Sequence, residues 1–170
     1  MLQLALKMEH IWSPWRMDYI MSSERPNTCI FCDAPKMEDG DKNLIVARSN
    51  LAYVILNRYP YTSGHLLVVP YAHVATMEEL DVSSRSEIME LITHSTRVLK
   101  AVYHPEGFNI GSNIGASAGA GIAGHVHFHL VPRWAGDTNF MSTLAMARVL
   151  PEDLRDTLTR LKSRWDNPEI

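Results

Sequence analysis

The stretch GHVHFHLVPRW at 124–134 sets three histidines in five positions, each separated by one apolar residue, in a chain with 8 histidines altogether. Alternation of this kind predicts a β-strand, whose successive side chains leave on opposite faces at a rise of roughly 3.3 Å per residue. His125, His127 and His129 then share one face at intervals of roughly 7 Å, while Val126, Phe128 and Leu130 share the other and can enter a core. A row of imidazoles is a poor way to build a core, so chemistry has to explain it. Imidazole offers metal ligation, and nucleophilic or acid–base work near neutral pH. The segment ASAGAGIAG at 116–124, with three glycines and four alanines, leads directly into the row. Small side chains leave its backbone open to close approach, and exposed N–H groups can form an anion-binding nest. That combination suits phosphate chemistry: a neutral imidazole attacks phosphorus, a covalent phospho-histidine forms, and nearby donors stabilise charge on the oxygens.

The two cysteines, Cys29 and Cys32, stand in TCIFC and make no disulfide framework. No strand-then-helix pattern surrounds them to support a thioredoxin-like redox pair. They read either as two thiolates of a zinc site or as small buried hydrophobes.

These groups need elements to hold them. The apolar runs LIVA (44–47), AYVIL (52–56) and HLLVV (65–69) read as strands, with SN at 49–50 and RYPYTSG at 58–64 as turns. Pro60 and Gly64 bracket the second turn and imply a hairpin with a generous loop. Ile88, Leu91, Ile92, Val98, Leu99 and Val102 follow helical spacing after Ser83 or Ser84, either of which suits a cap, and Pro105 with Gly107 ends the helix. GFNIGSNIG (107–115) reads as a further strand before the histidine strand. Leu154, Leu158, Leu161 and Trp165 form an amphipathic stripe behind Pro151, so a second helix closes the chain. The sum is an α+β fold: an antiparallel five-stranded sheet with two main helices on one side.

At 170 residues, 46% hydrophobic and 21% charged, the chain suits one domain with terminal extensions. Its net charge of −3 gives no electrostatic case for a nucleic acid polymer as partner. No apolar run approaches the roughly 20 residues of a membrane span, and MLQLALKMEH lacks a signal-peptide core. A cytoplasmic location is expected. The division expected is an N-terminal arm over 1–26, rich in Trp, Met and Tyr, a catalytic domain over 27–134 and a C-terminal extension over 135–170.

HVHFHLV matches the His-φ-His-φ-His-φ-φ signature of the histidine-triad superfamily of nucleotide hydrolases and transferases, where φ is apolar. CIFC (29–32), AYVILNRYPYTSGHLLVVPYAHV (52–74), GFNIGSN (107–113) and the triad follow that family's order and spacing across roughly 30–134. The segments WSPWRMDYI and AGAGIAGHVHFHLVPRWAGDTNFM resemble a bacterial branch close to diadenosine tetraphosphate phosphorylases and fragile-histidine-triad hydrolases. The resemblance implies that His127 is the nucleophile on the α-phosphorus, that His129 lies at the phosphate oxygens and that His65 supports the triad's hydrogen bonding. It implies that Asn57 meets the ribose hydroxyls, that Asn113 reaches toward the α-phosphate, and that Ile30, Phe31, Ile55 and Leu67 wall the base pocket. It further implies a structural zinc ion on Cys29, Cys32, His73 and His125, and no organic cofactor. His10, His94 and His104 have no place in the pattern and read as surface residues.

Many relatives carry a Gln or Ser just before the triad, in a GQS- or GQT-like stretch. AGAGIAG has no polar side chain there and is longer by one residue, so phosphate contact falls to backbone amides and Ser117. The implied activity is hydrolysis of dinucleoside polyphosphates, with diadenosine tri- or tetraphosphate as substrate, through a nucleotidyl-histidine. The alternatives are a phosphorylase that uses phosphate as acceptor, a nucleoside phosphoramidase, and a non-catalytic zinc-stabilised nucleotide-binding protein. A homodimer with a continuous sheet is also implied.

Overall fold

The computed structural model describes residues 28–137 and 152–168. The expected N-terminal arm over 1–26 lies outside them, as do His10 and much of the expected C-terminal extension. Five strands form one antiparallel sheet: β1 (Ile45–Arg48), β2 (Ala52–Leu56), β3 (Leu66–Pro70), β4 (Gly107–Gly111) and β5 (Phe128–Arg133). Their order across the sheet is β1-β2-β3-β5-β4, so the histidine strand sits between β3 and the edge strand β4.

The β2–β3 hairpin is the most regular part, running from Ala52↔Pro70 to Leu56↔Leu66, and every residue of both strands is buried. Continuous apolar runs are what a doubly covered central strand requires. β1 joins β2 through a bulge between Ile45 and Ala47. The 57–65 loop returns the chain at Gly64, whose φ of +76° favours a residue without Cβ. An added Cβ there would lie 2.9 Å from Leu99 Cδ2, so the turn is pressed onto the helix layer.

Three helices complete the described chain: the short α1 (Ile30–Asp33), α2 (Val82–Tyr103) and α3 (Leu154–Trp165). α2 begins earlier than Ser83 or Ser84, because the Asp81 carboxylate caps it by accepting the Ser84 N–H at 2.6 Å. Its buried stripe of Ile88, Ile92, Val98 and Leu99 packs across β2, β3 and β5. His104 takes the left-handed C-cap position, with φ 47°, just before Pro105. α3 buries Leu158 and Leu161 and packs on α2 and β1. His94 is half-buried rather than a plain surface residue: its Nε2 lies 2.7 Å from the Trp165 carbonyl and its ring packs on the indole. A side-chain bond from the Tyr103 hydroxyl to Glu152 also ties α2 to the start of α3. Among the described residues, no helix is long and apolar enough to cross a membrane.

β1 and β3 each lie one residue later than the sequence reading, and two other strands differ more. β4 stops at Gly111 instead of running to residue 115, and β5 starts at Phe128. His125, Val126 and His127 therefore precede the ladder. Val126 N–H instead donates to the Val74 carbonyl at 2.7 Å, drawing this segment toward the chain that follows β3.

Candidate active site and metal centre

Directly paired residues in a sheet share a face. The register Ile55↔Leu67 and Leu67↔His129 thus lays one row across β2, β3 and β5 on a single face. That face floors a cavity of about 490 Å³. Ile30 and Phe31 of α1 line it, as do Asn113, Gly119, Gly121 and Ile122, together with His127 and His129. The Tyr53 hydroxyl, buried within the sheet, donates to the Phe31 carbonyl at 2.7 Å and pins α1 over the row. Burial pushes that phenol far above its usual value, so it remains a donor.

Hydrogen bonds determine which nitrogen of each imidazole carries the proton. His127 Nδ1 lies 2.9 Å from the His125 carbonyl, an acceptor only, so Nδ1 bears the hydrogen and Nε2 keeps its lone pair. Burial lowers the His127 pKa against the opposing pull of that carbonyl, which favours the neutral ring. Phe31 packs on it with ring centroids 4.7 Å apart. For His129 the logic runs through His65, which is fully buried. The Tyr61 N–H donates to His65 Nδ1 at 3.1 Å, leaving the His65 proton on Nε2, 3.0 Å from His129 Nδ1. A neutral His129 then carries its own proton on Nε2. The two triad rings lie 5.0 Å apart and are oppositely equipped: one offers a lone pair, the other an N–H donor.

Next to this pair, Cys29, Cys32, His73 and His125 bring four donor atoms within 4.8 Å of one another. His125 Nδ1 is 3.2 Å from His73 Nδ1, 3.3 Å from Cys29 Sγ and 3.6 Å from Cys32 Sγ. Cys32 Sγ is 3.3 Å from His73 Nδ1. With Zn–N near 2.0–2.1 Å and Zn–S near 2.3 Å, a zinc tetrahedron has edges of about 3.3 Å between nitrogens and about 3.6 Å between nitrogen and sulfur. The observed separations fit. The His125 Nε2–H donates to the Pro70 carbonyl at 3.0 Å, which turns the Nδ1 lone pair toward the cluster. Burial lowers the His125 pKa, also favouring the neutral ligand form. Two thiolates and two imidazoles fill a tetrahedron, so a zinc ion here would be structural. It would tie α1, the segment after β3 and the approach to β5 together, beside the His127 ring.

Of the residues singled out in the sequence, His127, His129, Asn57, Asn113, Ile30, Phe31, Ile55 and Leu67 line the cavity, and His65 stands behind His129. Asn57 is held in its loop, its Oδ1 accepting the Tyr59 N–H at 3.0 Å, with further amide capacity left for a ligand. Ser117 is exposed and does not line the cavity. Ala34, Met37, Leu44 and Tyr61 also wall it and escaped the sequence reading. Their sequence signals were closeness to CIFC for Ala34 and Met37, membership of the LIVA run for Leu44 and of the 57–65 loop for Tyr61.

The HIT domain family model matches residues 40–136. AP-4-A phosphorylase of Mycobacterium tuberculosis is 40% identical over 167 residues, covering 94% of this chain and 85% of its own. Adenosine 5'-monophosphoramidase hnt1 of Schizosaccharomyces pombe is 35% identical over 107 residues, 62% of this chain and 74% of its own. A crystal structure of a Zn-bound histidine triad family protein from Mycobacterium smegmatis shares the fold, with a TM-score of 0.66 at 22% identity over 82% of this chain and 94% of that one. With a matching domain over more than half of its length and so extended a relative, the chain belongs to the HIT domain family.

Proposed function

We propose that this protein is an enzyme that cleaves diadenosine tetraphosphate by nucleotidyl transfer through His127, with inorganic phosphate as the final acceptor. The observation that carries the reading is the 2.9 Å separation of His127 Nδ1 from the His125 carbonyl, which commits the Nδ1 proton to that oxygen. In the first step Nε2 attacks the α-phosphorus, the bridging P–O bond breaks and ATP leaves, giving adenylyl-His127. The developing imidazolium charge is eased by the Nδ1–H bond to that carbonyl. His129 Nε2–H donates to the phosphate oxygens, and the His65 bond keeps it in that tautomer. In the second step a phosphate oxygen attacks the same phosphorus, the P–N bond breaks, and ADP and free His127 result.

The base lies against Ile30, Phe31, Ile55 and Leu67, the ribose hydroxyls meet Asn57, and Asn113 reaches the α-phosphate. The backbone at Gly119 and Gly121 faces the rest of the phosphate chain, and Ser117, which does not line the cavity, takes no part. Phosphate is preferred over water as acceptor because the Mycobacterium tuberculosis relative, aligned over 94% of this chain, is named a phosphorylase. Zinc on Cys29, Cys32, His73 and His125 is structural in this reading. The chain also pairs with a second copy along the edge strand β4, which exposes Ile110, with the exposed Ile114 just beyond its end.

The test is to incubate purified protein with diadenosine tetraphosphate, with and without phosphate, and to separate the nucleotides. ADP and ATP formed only with phosphate support the phosphorylase. AMP and ATP formed with water alone make it a hydrolase instead. Release of AMP from adenosine phosphoramidate alone favours a phosphoramidase, and binding without turnover ends the enzyme reading.

A further inference from the structure

We infer that Ser112 is the positioning residue for His127, holding the nucleophile's backbone where the sheet no longer does; the inference rests on the nucleotidyl-transfer reading above. β4 and β5 pair from Gly107↔Arg133 to Gly111↔His129. Continuing that register would set Asn113 opposite His127. The ladder ends first, because the chain from Asn113 onward turns away to build the cavity wall with Gly119, Gly121 and Ile122. The opening of the pocket thus removes sheet support from the residue whose alignment matters most. His127 stands just outside the last paired strand residue.

Two bonds replace the missing ladder. On one side, Val126 N–H donates to the Val74 carbonyl at 2.7 Å. On the other, the Ser112 hydroxyl donates to the His127 carbonyl at 2.7 Å. A side-chain hydroxyl suits this position because it reaches the acceptor while its own backbone has already begun to diverge. Ser112 is half-buried and does not line the cavity, so it acts through His127 and not on a ligand.

The consequence passes from backbone to ring. The His127 carbonyl fixes the peptide plane after the nucleophile, and the His125 carbonyl fixes Nδ1 at 2.9 Å. Freeing the first lets the residue rotate, which lengthens the second and loosens its hold on the tautomer. A misplaced or Nε2-protonated ring loses reactivity while the walls that bind the nucleotide stay in place.

The experiment compares wild type, Ser112→Ala and Ser112→Thr at one fixed pH. Steady-state kinetics with diadenosine tetraphosphate and phosphate are paired with long-range proton–nitrogen NMR of the His127 ring. For Ser112→Ala we expect kcat to fall about tenfold with KM held within about twofold, since one orienting hydrogen bond is lost and no ligand contact is. Its spectrum should gain the Nε2–H form, whereas wild type shows Nδ1–H. Ser112→Thr restores the hydroxyl and should bring both kcat and the tautomer back. Wild-type kcat and tautomer in Ser112→Ala would overturn the inference. So would Ser112→Thr being as impaired as Ser112→Ala, which would indicate packing and not the hydroxyl. If wild type turns over no dinucleoside tetraphosphate, the proposed function fails, and the tautomer comparison alone then decides the role of Ser112.

Discussion

Replacing Gly64 by alanine should destabilise the protein by about 2 kcal/mol, because two penalties outweigh one gain. The gain is entropic: alanine restricts the unfolded chain and alone would stabilise by about 0.4–1 kcal/mol. Against it, an L-residue at the φ of +76° found here pays a backbone cost of about 1–2 kcal/mol. The added Cβ would also lie 2.9 Å from Leu99 Cδ2 and 3.1 Å from the Tyr103 ring. Leu99 is fully buried in a close-packed core, and Tyr103 is tied to Glu152, so neither yields freely. Forcing such a contact costs about 1–3 kcal/mol. Gly40→Ala is the control, since nothing lies within 4 Å of its added Cβ and its φ is ordinary. Urea unfolding followed by circular dichroism reads the difference. At an m-value of about 2 kcal/mol/M, the Gly64→Ala midpoint should fall by about 1 M while Gly40→Ala stays near wild type. Equal midpoints for the two variants would refute the packing of this turn against α2.

Zinc content gives a second prediction: metal analysis should find one zinc per chain, and Cys29→Ser should hold markedly less and melt earlier, since an Sγ placed 3.3 Å from His125 Nδ1 is lost. Equal zinc in the two proteins would remove the site. The sheet edge gives a third: Ile110→Arg should shift the protein from dimer to monomer in light scattering, because Ile110 on the edge strand β4 is 49% exposed. A dimer that survives the change would move the interface elsewhere.

What was legible in the sequence was whatever a local pattern records. The apolar runs of β2 and β3 mark central strands because both faces are covered, and the stripe from Ile88 to Leu99 marks the face of α2 that meets the sheet. The start of α2 was misread because Asp81 competes with two serines as cap, and only the 2.6 Å bond to Ser84 N–H identifies it. The histidine alternation was read as strand from its first residue. However, His125 is drawn toward Cys29, Cys32 and His73, and Val126 toward Val74, so the ladder begins at Phe128. His94 gave no local sign of its bond to Trp165, a partner 71 residues away. Ser112 was equally silent, because its value depends on where two strands part.

The central claim is that His127 Nε2 carries the nucleotide between the two chemical steps. Mixing the protein with diadenosine tetraphosphate without phosphate, quenching in base and mapping the peptides by mass spectrometry tests it directly. The account predicts an acid-labile adenylyl group on His127, absent from His127→Ala and discharged as ADP when phosphate is added before the quench. An adenylyl group on another residue, or turnover by His127→Ala at the wild-type rate, would contradict it.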